Sequence, residues 1–258
     1  MNFLHAIVLG IIEGATEFLP ISSTFHLIWS AKLLGLVPTD FSRLFEVFIQ
    51  AGAVGAVVFL YFRTIISDKK LMLKVFASFI PTAVVGLLLY KVIKQFFFNN
   101  DFLQLAVFLI VGLIFILYEK FGSHKDNKKG LEMLTYTDAI VVGLVQALAV
   151  IPGVSRAGAV ILGLMFLKVR REEAAKYSFL LAIPTIFAAS ALDLFKMRDL
   201  LINNSGNISL LLVGTIAAFI SAMLVVKWLI KYLQGHSLAN FGWYRIAVFT
   251  ALIFLFVL

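Results

Sequence analysis

Long apolar runs dominate this chain, and a small set of polar positions breaks them. Reading the runs and their breakers predicts ten helical segments. Two short ones, near 3–19 and 22–36, come before three longer ones near 42–62, 71–95 and 102–119. A polar stretch from Phe121 to Glu132 interrupts the pattern. The same order then returns, with short segments near 136–150 and 154–168 and longer ones near 172–194, 207–232 and 241–258. A helix that crosses a bilayer needs about 20 apolar residues. The longer segments meet that length, and the short pairs read as hairpins that enter the membrane and leave on the same side.

The repetition extends to residue level. A shift of 133 positions lays Gly10 on Gly143, Glu13 on Gln146, Ser22 on Ser155 and Ser23 on Arg156. Three crossings per half is an odd number, so the second half is expected to be inverted relative to the first. Broken helices meeting across such a repeat build a polar site inside a bilayer, where irregular backbone survives only when it is buried in protein or lines a cavity. The expected fold is an all-α polytopic membrane protein in a single integral membrane domain over residues 1–258. Its first half is 1–120, a cytoplasmic linker covers 121–134 and the second half is 135–258, each half a re-entrant helix hairpin plus three transmembrane helices.

Composition agrees: 62% of the 258 residues are hydrophobic, 14% are charged and the mean hydropathy is +1.01. No cysteine is present, which excludes disulfides, thiolate catalysis and cysteine-type zinc sites. The formal net charge of +8 would suggest nucleic acid in a soluble protein. Here it is better explained by loops facing anionic lipid and the cytoplasm, so no nucleic-acid partner is expected. The loops after the third, fifth, seventh and ninth segments collect fourteen lysines and arginines, and the opposite side has six. The positive-inside rule makes the richer side cytoplasmic, which brings the first hairpin in from outside and the second from the cytoplasm. The first apolar segment carries Glu13 and Glu17 and lacks a basic leader, so a retained helix is expected there rather than a signal peptide.

The polar breakers are where chemistry is expected, because an ionisable residue at membrane depth costs roughly 2.5–3.5 kcal/mol and usually faces a cavity. The stretch GIIEGATEFLPISSTFH, Gly10 to His26, places Glu13 and Glu17 four apart on one helix face before Pro20 breaks the helix. The two carboxylates could hold a divalent cation, or one could stay protonated and serve as acid or base. Ser22, Ser23 or Thr24 can cap the next helix. Ser23 and His26, three apart, could equally be a nucleophile and its base. The second tip, IPGVSRAGAV from Ile151 to Val160, ends one helix at Pro152 and Gly153 and can cap the next with Ser155. Arg156 then sits in a first helical turn, where backbone amides already favour anions and a guanidinium forks onto phosphate or carboxylate. Glu46 and Gln50 share a face of the third segment, either supporting the site or pairing with Arg43. Asp193 beside Lys196 reads as an interfacial ion pair.

The strings EGATEFLPISSTFH, PGVSRAG, FEVFIQAGA and SFLLAIPT resemble the bacterial undecaprenyl-diphosphate phosphatases of the bacitracin-resistance type, over essentially the whole chain. That resemblance implies an integral enzyme of the bacterial inner membrane with an inverted repeat and two re-entrant hairpins. It would remove the terminal phosphate of a C55 lipid diphosphate, regenerating the carrier of peptidoglycan synthesis. It places catalytic roles on Glu13, Glu17, Ser23, His26 and Arg156, and substrate contacts on Ser22, Thr24, Gly153, Ser155 and Arg156, with Glu46 and Gln50 in support. Mg²⁺ or Ca²⁺ on Glu13 and Glu17, no organic cofactor, a polyprenyl diphosphate in a site open to the extracytoplasmic side, and a homodimer are the associated expectations. The chain departs from the family pattern at Phe25 in place of glycine, and at Ala157 and Val160 in place of hydroxyl residues. Phe25 is expected to narrow the pocket or shift His26, and the other two to remove phosphate donors. The competing reading from residues alone is a secondary transporter or lipid flippase for an anionic substrate, since inverted repeats with broken helices also build transporters.

Overall fold

A computed structural model of the chain describes residues 1–97, 100–122, 128–196 and 205–256. Ten α-helices lie within them. The first five are α1 (Phe3–Thr16), α2 (Ser23–Leu33), α3 (Asp40–Ser67), α4 (Lys69–Phe97) and α5 (Asp101–Phe121). The others are α6 (Tyr136–Ala147), α7 (Arg156–Phe166), α8 (Arg171–Lys196), α9 (Ser205–Gly235) and α10 (Ala239–Phe256). The protein is an all-α, multi-pass membrane protein. Five helices are long and apolar enough to cross a bilayer: α3, α4 over Lys69–Leu89, α5, α8 over Arg171–Ala191, and α9 over Ile208–Gly235. Of the six crossings expected, the sixth falls to α10, whose apolar part Ala239–Leu255 is shorter. The Asp193–Lys196 pair lies outside the described side chains, and residues 123–127 of the linker lie outside the described residues. Just beyond them Lys129 pairs with the segment after α7, accepting from Arg170 N at 3.1 Å and donating to Lys168 O at 3.1 Å.

The short helices have 14 and 11 residues in the first hairpin and 12 and 11 in the second. At 1.5 Å per residue they reach about 21 Å at most, short of a ~30 Å hydrocarbon core. Their local design repeats at the 133-residue spacing. Asn2 caps α1 and Thr135 caps α6. Ser22 precedes α2 and Ser155 precedes α7, and both hold a positive φ, 70° and 74°. The chain after each hairpin turns through another positive φ, at Gly35 (67°) and Lys168 (69°).

Packing follows the same correspondence. Helix α1 lies on α9 and α6 lies on α4, so each hairpin is seated on the fourth helix of the opposite half. Helices cannot use the hydrophobic effect to associate within lipid, so they rely on close backbone approach and polar contacts. Gly10 and Gly14 on α1 meet the backbone of α9 at Gly214 and Ala218, and Gly143 on α6 meets Ser78 on α4; a Cβ at any of the three would overlap backbone atoms. At the α4–α6 contact Ser78 Oγ donates to Ala139 O at 2.6 Å, Thr82 Oγ1 to Gly143 O at 2.8 Å and Gln146 Nε2 to Thr82 Oγ1 at 2.8 Å. Beneath the tips, Phe18, Ile21, Phe115, Val160 and Phe179 join one large apolar core.

Enlarging Gly14 therefore separates α1 from α9. Gly14→Leu is expected to cost about 1–3 kcal/mol through overpacking, which for a chain of this size is a fall of roughly 2–12 °C in unfolding temperature. Gly86→Ala, where nothing lies within 4 Å of the added carbon, leaves it unchanged or raised; thermal unfolding in detergent compares the two.

Candidate active site

The two hairpin tips meet at a cavity of about 180 Å³. Glu17, Ser22, Ser23 and Thr24 from the first tip line it, facing Gly153, Ser155 and Arg156 from the second. Gln50 of α3 and Thr185 of α8 complete the polar lining. Both α2 and α7 start at the cavity, so their unpaired N-terminal amides and the positive ends of their dipoles converge there.

The charged centre is a short chain of contacts. Ser23 Oγ donates to Glu17 Oε2. Glu17 Oε1 accepts from Arg156 Nη2 at 2.9 Å, and Arg156 Nη1 donates to Ser178 O at 3.0 Å. The side chains of Arg156 and Glu17 keep only 11% and 6% of their surface exposed. Such a pair is held by low dielectric and loses much if either partner is removed. Arg156 Nε is buried without a hydrogen-bond partner.

Glu13 lies one turn behind Glu17 and is wholly buried, with the Glu17 carboxyl as its side-chain neighbour. Its charged surroundings are Glu17, Arg156 and Glu46. Two adjacent buried carboxylates are a donor set that suits a hard cation. Among the described residues no group of three acidic or histidine side chains assembles. Glu46 stays outside the cavity lining, and Arg43, its alternative partner, sits 3.6 Å from Asp40.

His26 sits apart from the serine it was expected to serve. Its Nδ1 faces Ser22 O at 2.8 Å, and a carbonyl only accepts, so that nitrogen carries the proton. Nε2 meets Tyr244 Oη at 2.9 Å. The ring thus steadies the positive-φ residue Ser22 instead of contacting Ser23, whose partner is Glu17. Phe25 does not narrow the cavity. It is buried, stacked on Phe108 at 3.9 Å between ring centroids, with its edge to His26 at 5.8 Å. Ala157 and Val160 are also buried in the core and absent from the lining, so hydroxyls at those positions would not reach a phosphate in the cavity.

Arg245 of α10 was not foreseen. Its side chain is fully buried. It donates from Nε to Pro20 O at 3.0 Å, from Nη1 to Gly153 O at 2.8 Å and Phe108 O at 3.2 Å, and from Nη2 to Val154 O at 3.1 Å. Phe108 and Phe115 lie against the guanidinium, 4.7 and 5.4 Å from its carbon. One side chain therefore ties both tips together. The sequence did hold a signal: the loop tally places twenty of the twenty-two lysines and arginines, and the two left over are Arg156 and Arg245.

The family model described as "Bacitracin resistance protein BacA" matches residues 6–251. An undecaprenyl-diphosphatase of Aquifex aeolicus is 44% identical over 248 residues, covering 96% of each chain. One from Campylobacter fetus subsp. fetus is 44% identical over 250 residues, covering 95% of this chain and 96% of its own. One from Wolinella succinogenes is 43% identical over 260 residues, 100% of this chain and 99% of its own.

Lysine at position 245 would keep the charge but bring its donors on one nitrogen, too compact to serve carbonyls on two separate tips. Arg245→Lys is expected to speed hydrogen exchange of the amides in 19–23 and 151–156 by at least about tenfold, equivalent to losing one or two net hydrogen bonds. Exchange elsewhere in α6 and α7 stays near wild type; mass spectrometry of the two proteins in detergent makes the comparison.

Proposed function

The chain belongs to the bacitracin resistance protein (BacA) family, and on that premise we propose that it hydrolyses undecaprenyl diphosphate to undecaprenyl phosphate and inorganic phosphate, the reaction its relatives are named for. It is a membrane-embedded hydrolase of a phosphoric anhydride. Its lipid product returns as carrier to peptidoglycan synthesis, which links the activity to bacitracin resistance.

The observation that carries the mechanism is the contact chain Ser23–Glu17–Arg156 at the mouths of two helix N-termini. In this reading the diphosphate lies between the tips. Arg156 and the amides opening α2 and α7 hold its oxygens, with Ser22, Thr24 and Ser155 as hydroxyl donors. Ser23 Oγ attacks the terminal phosphorus in line with the bridging oxygen, and Glu17 takes the proton. The bond between the terminal phosphorus and that oxygen breaks, the oxygen takes the proton back from Glu17, and undecaprenyl phosphate leaves. Water then attacks the phosphoserine, giving one proton to Glu17; inorganic phosphate departs and Ser23 is reprotonated. Glu17 is favoured over His26 as the base because it holds the serine hydroxyl, whereas both ring nitrogens of His26 are engaged elsewhere. His26 is assigned a positioning role at Ser22.

Charge supports a role for a cation. Arg156 is the single guanidinium lining the cavity, set against Glu13, Glu17 and a polyanionic substrate. Mg²⁺ or Ca²⁺ would be held by Glu13 and Glu17 together with substrate oxygens, and when bound it supplies Lewis-acid neutralisation of the phosphates. The surplus of basic residues in one set of loops supports an inner-membrane orientation with the site open to the extracytoplasmic side. The 133-residue correspondence of caps and positive-φ residues supports the inverted repeat.

The test is inorganic phosphate release from undecaprenyl diphosphate by the purified protein in detergent, where no compartment exists. Arg156→Ala is expected to lower kcat by about 10²–10³-fold, as for loss of one preorganised donor to developing charge. Ser23→Ala falls at least as far, and acid quenching of the wild type traps a phosphoserine. Full turnover by Ser23→Ala would instead mean direct attack by water.

A further inference from the structure

The lining of the cavity is polar in some elements and apolar in others. Its acidic, basic and hydroxyl groups belong to the hairpin tips, α3 and Thr185. The remaining lining is apolar: Ala149, Ile151 and Pro152 on the turn from α6 to α7, and Ile186 and Ala189 on α8. Both apolar stretches line the one cavity, and through them its lining reaches the protein surface. Ala189 is exposed although it lines the cavity, Ala149 and Ile151 are half-buried, and Pro152 and Ile186 are closed in. Immediately outside, Leu148 is 56% and Phe187 44% exposed, as expected of side chains that meet lipid. Alanine on both sides of the gap, at 149 and 189, leaves the opening free of large side chains.

Resting on the phosphatase reading above, we propose that this gap is the portal through which the substrate's polyisoprenoid chain leaves the cavity for the bilayer. An amphiphile whose diphosphate sits on Arg156 must pass its first isoprene units through an opening that is continuous with the cavity, apolar and unobstructed. The gap between residues 149–152 and 186–189 meets all three conditions. The opposite wall, with Glu17, Ser22, Ser23, Thr24 and Gln50, would place hydrocarbon against charged and hydroxyl groups. The portal also sets the direction of approach. The lipid enters head first past α8 and need not leave the membrane, which holds its terminal phosphorus toward Ser23.

The portal predicts a dependence on chain length. Ala189→Trp, on an exposed position that tolerates bulk, is expected to raise KM for undecaprenyl diphosphate by about tenfold or more, with KM for isopentenyl diphosphate unchanged. Leu87→Trp, on the 73% exposed flank of α4, leaves both unchanged. Equal losses on the long and short substrates would show a merely structural effect and overturn the portal, as would no effect on either. A second measurement reads binding alone: an undecaprenyl diphosphate analogue with a diazirine in its first isoprene units should cross-link within 148–152 and 186–189. Cross-links confined to other helices overturn the proposal even if phosphate is released. Cross-links at the portal in a wild-type protein that releases no phosphate would sink the phosphatase reading and support the portal.

Discussion

The guanidinium of Arg245 is the constraint on which the rest of this molecule depends. Bringing two helix N-termini together inside a bilayer means taking backbone out of helix where no water can satisfy it, and each unpaired carbonyl there costs several kcal/mol. Arg245 answers three such carbonyls at once, one from the first tip and two from the second, and donates to a fourth within α5. Its own burial, which would be prohibitive for an isolated charge, is offset by those bonds and by two aromatic faces. Glu17, Ser22, Ser23, Ser155 and Arg156 all sit on the tips that this residue holds. The arginine that ties the tips together and the arginine that lines the cavity are therefore different.

The two halves share a backbone and divide the chemistry. Ser22 and Ser155 both adopt a positive φ, a conformation costing about 1–3 kcal/mol for a residue with a Cβ. In each case it turns the chain sharply enough for a new helix to begin facing the cavity. At the following position one half carries Ser23 and the other Arg156. Ten residues before, one carries Glu13 and the other Gln146. Gln146 donates from Nε2 to threonines of α4 and α8, whereas Glu13 stands beside the carboxylate of Glu17. The 133-residue correspondence thus supplies the local geometry twice, and the acidic pair and Ser23 are kept in a single copy.

Much of this was legible in the sequence, and for a physical reason. Lipid penalises polar side chains and irregular backbone so heavily that Glu17, Ser23, Ser155 and Arg156 stand out against apolar flanks, and the shortness of the segments around them marks the hairpins. What stayed hidden depends on rotation about a helix axis, which spacing alone does not fix. Ser23 and His26 share a helix, yet the ring turns to Ser22 O and Tyr244 while the serine turns to Glu17. Ala157 and Val160 follow Arg156 closely but face the core, so their lost hydroxyls concern packing and not phosphate. Arg245 escaped because it stands alone in α10 without a neighbouring motif; only its partners, far away in sequence, show its role.

The amphipathic division of the cavity closes the physical argument, because it solves a problem specific to this chemistry. A phosphatase for a soluble diphosphate can surround its substrate with donors, but a lipid diphosphate must be gripped at one end and left in hydrocarbon at the other. Donors concentrated on the first tip and at Arg156, with alanine, isoleucine and proline on the facing edge, achieve this without a lid. The polar wall is charged and dry enough for Arg156 and Glu17 to act strongly on each other and on phosphate. An apolar edge of this kind is what a tail that stays in hydrocarbon requires. Binding then extracts only the head group from the interface, and the cost of dehydrating it falls on the two helix N-termini and Arg156, which are already organised to meet it.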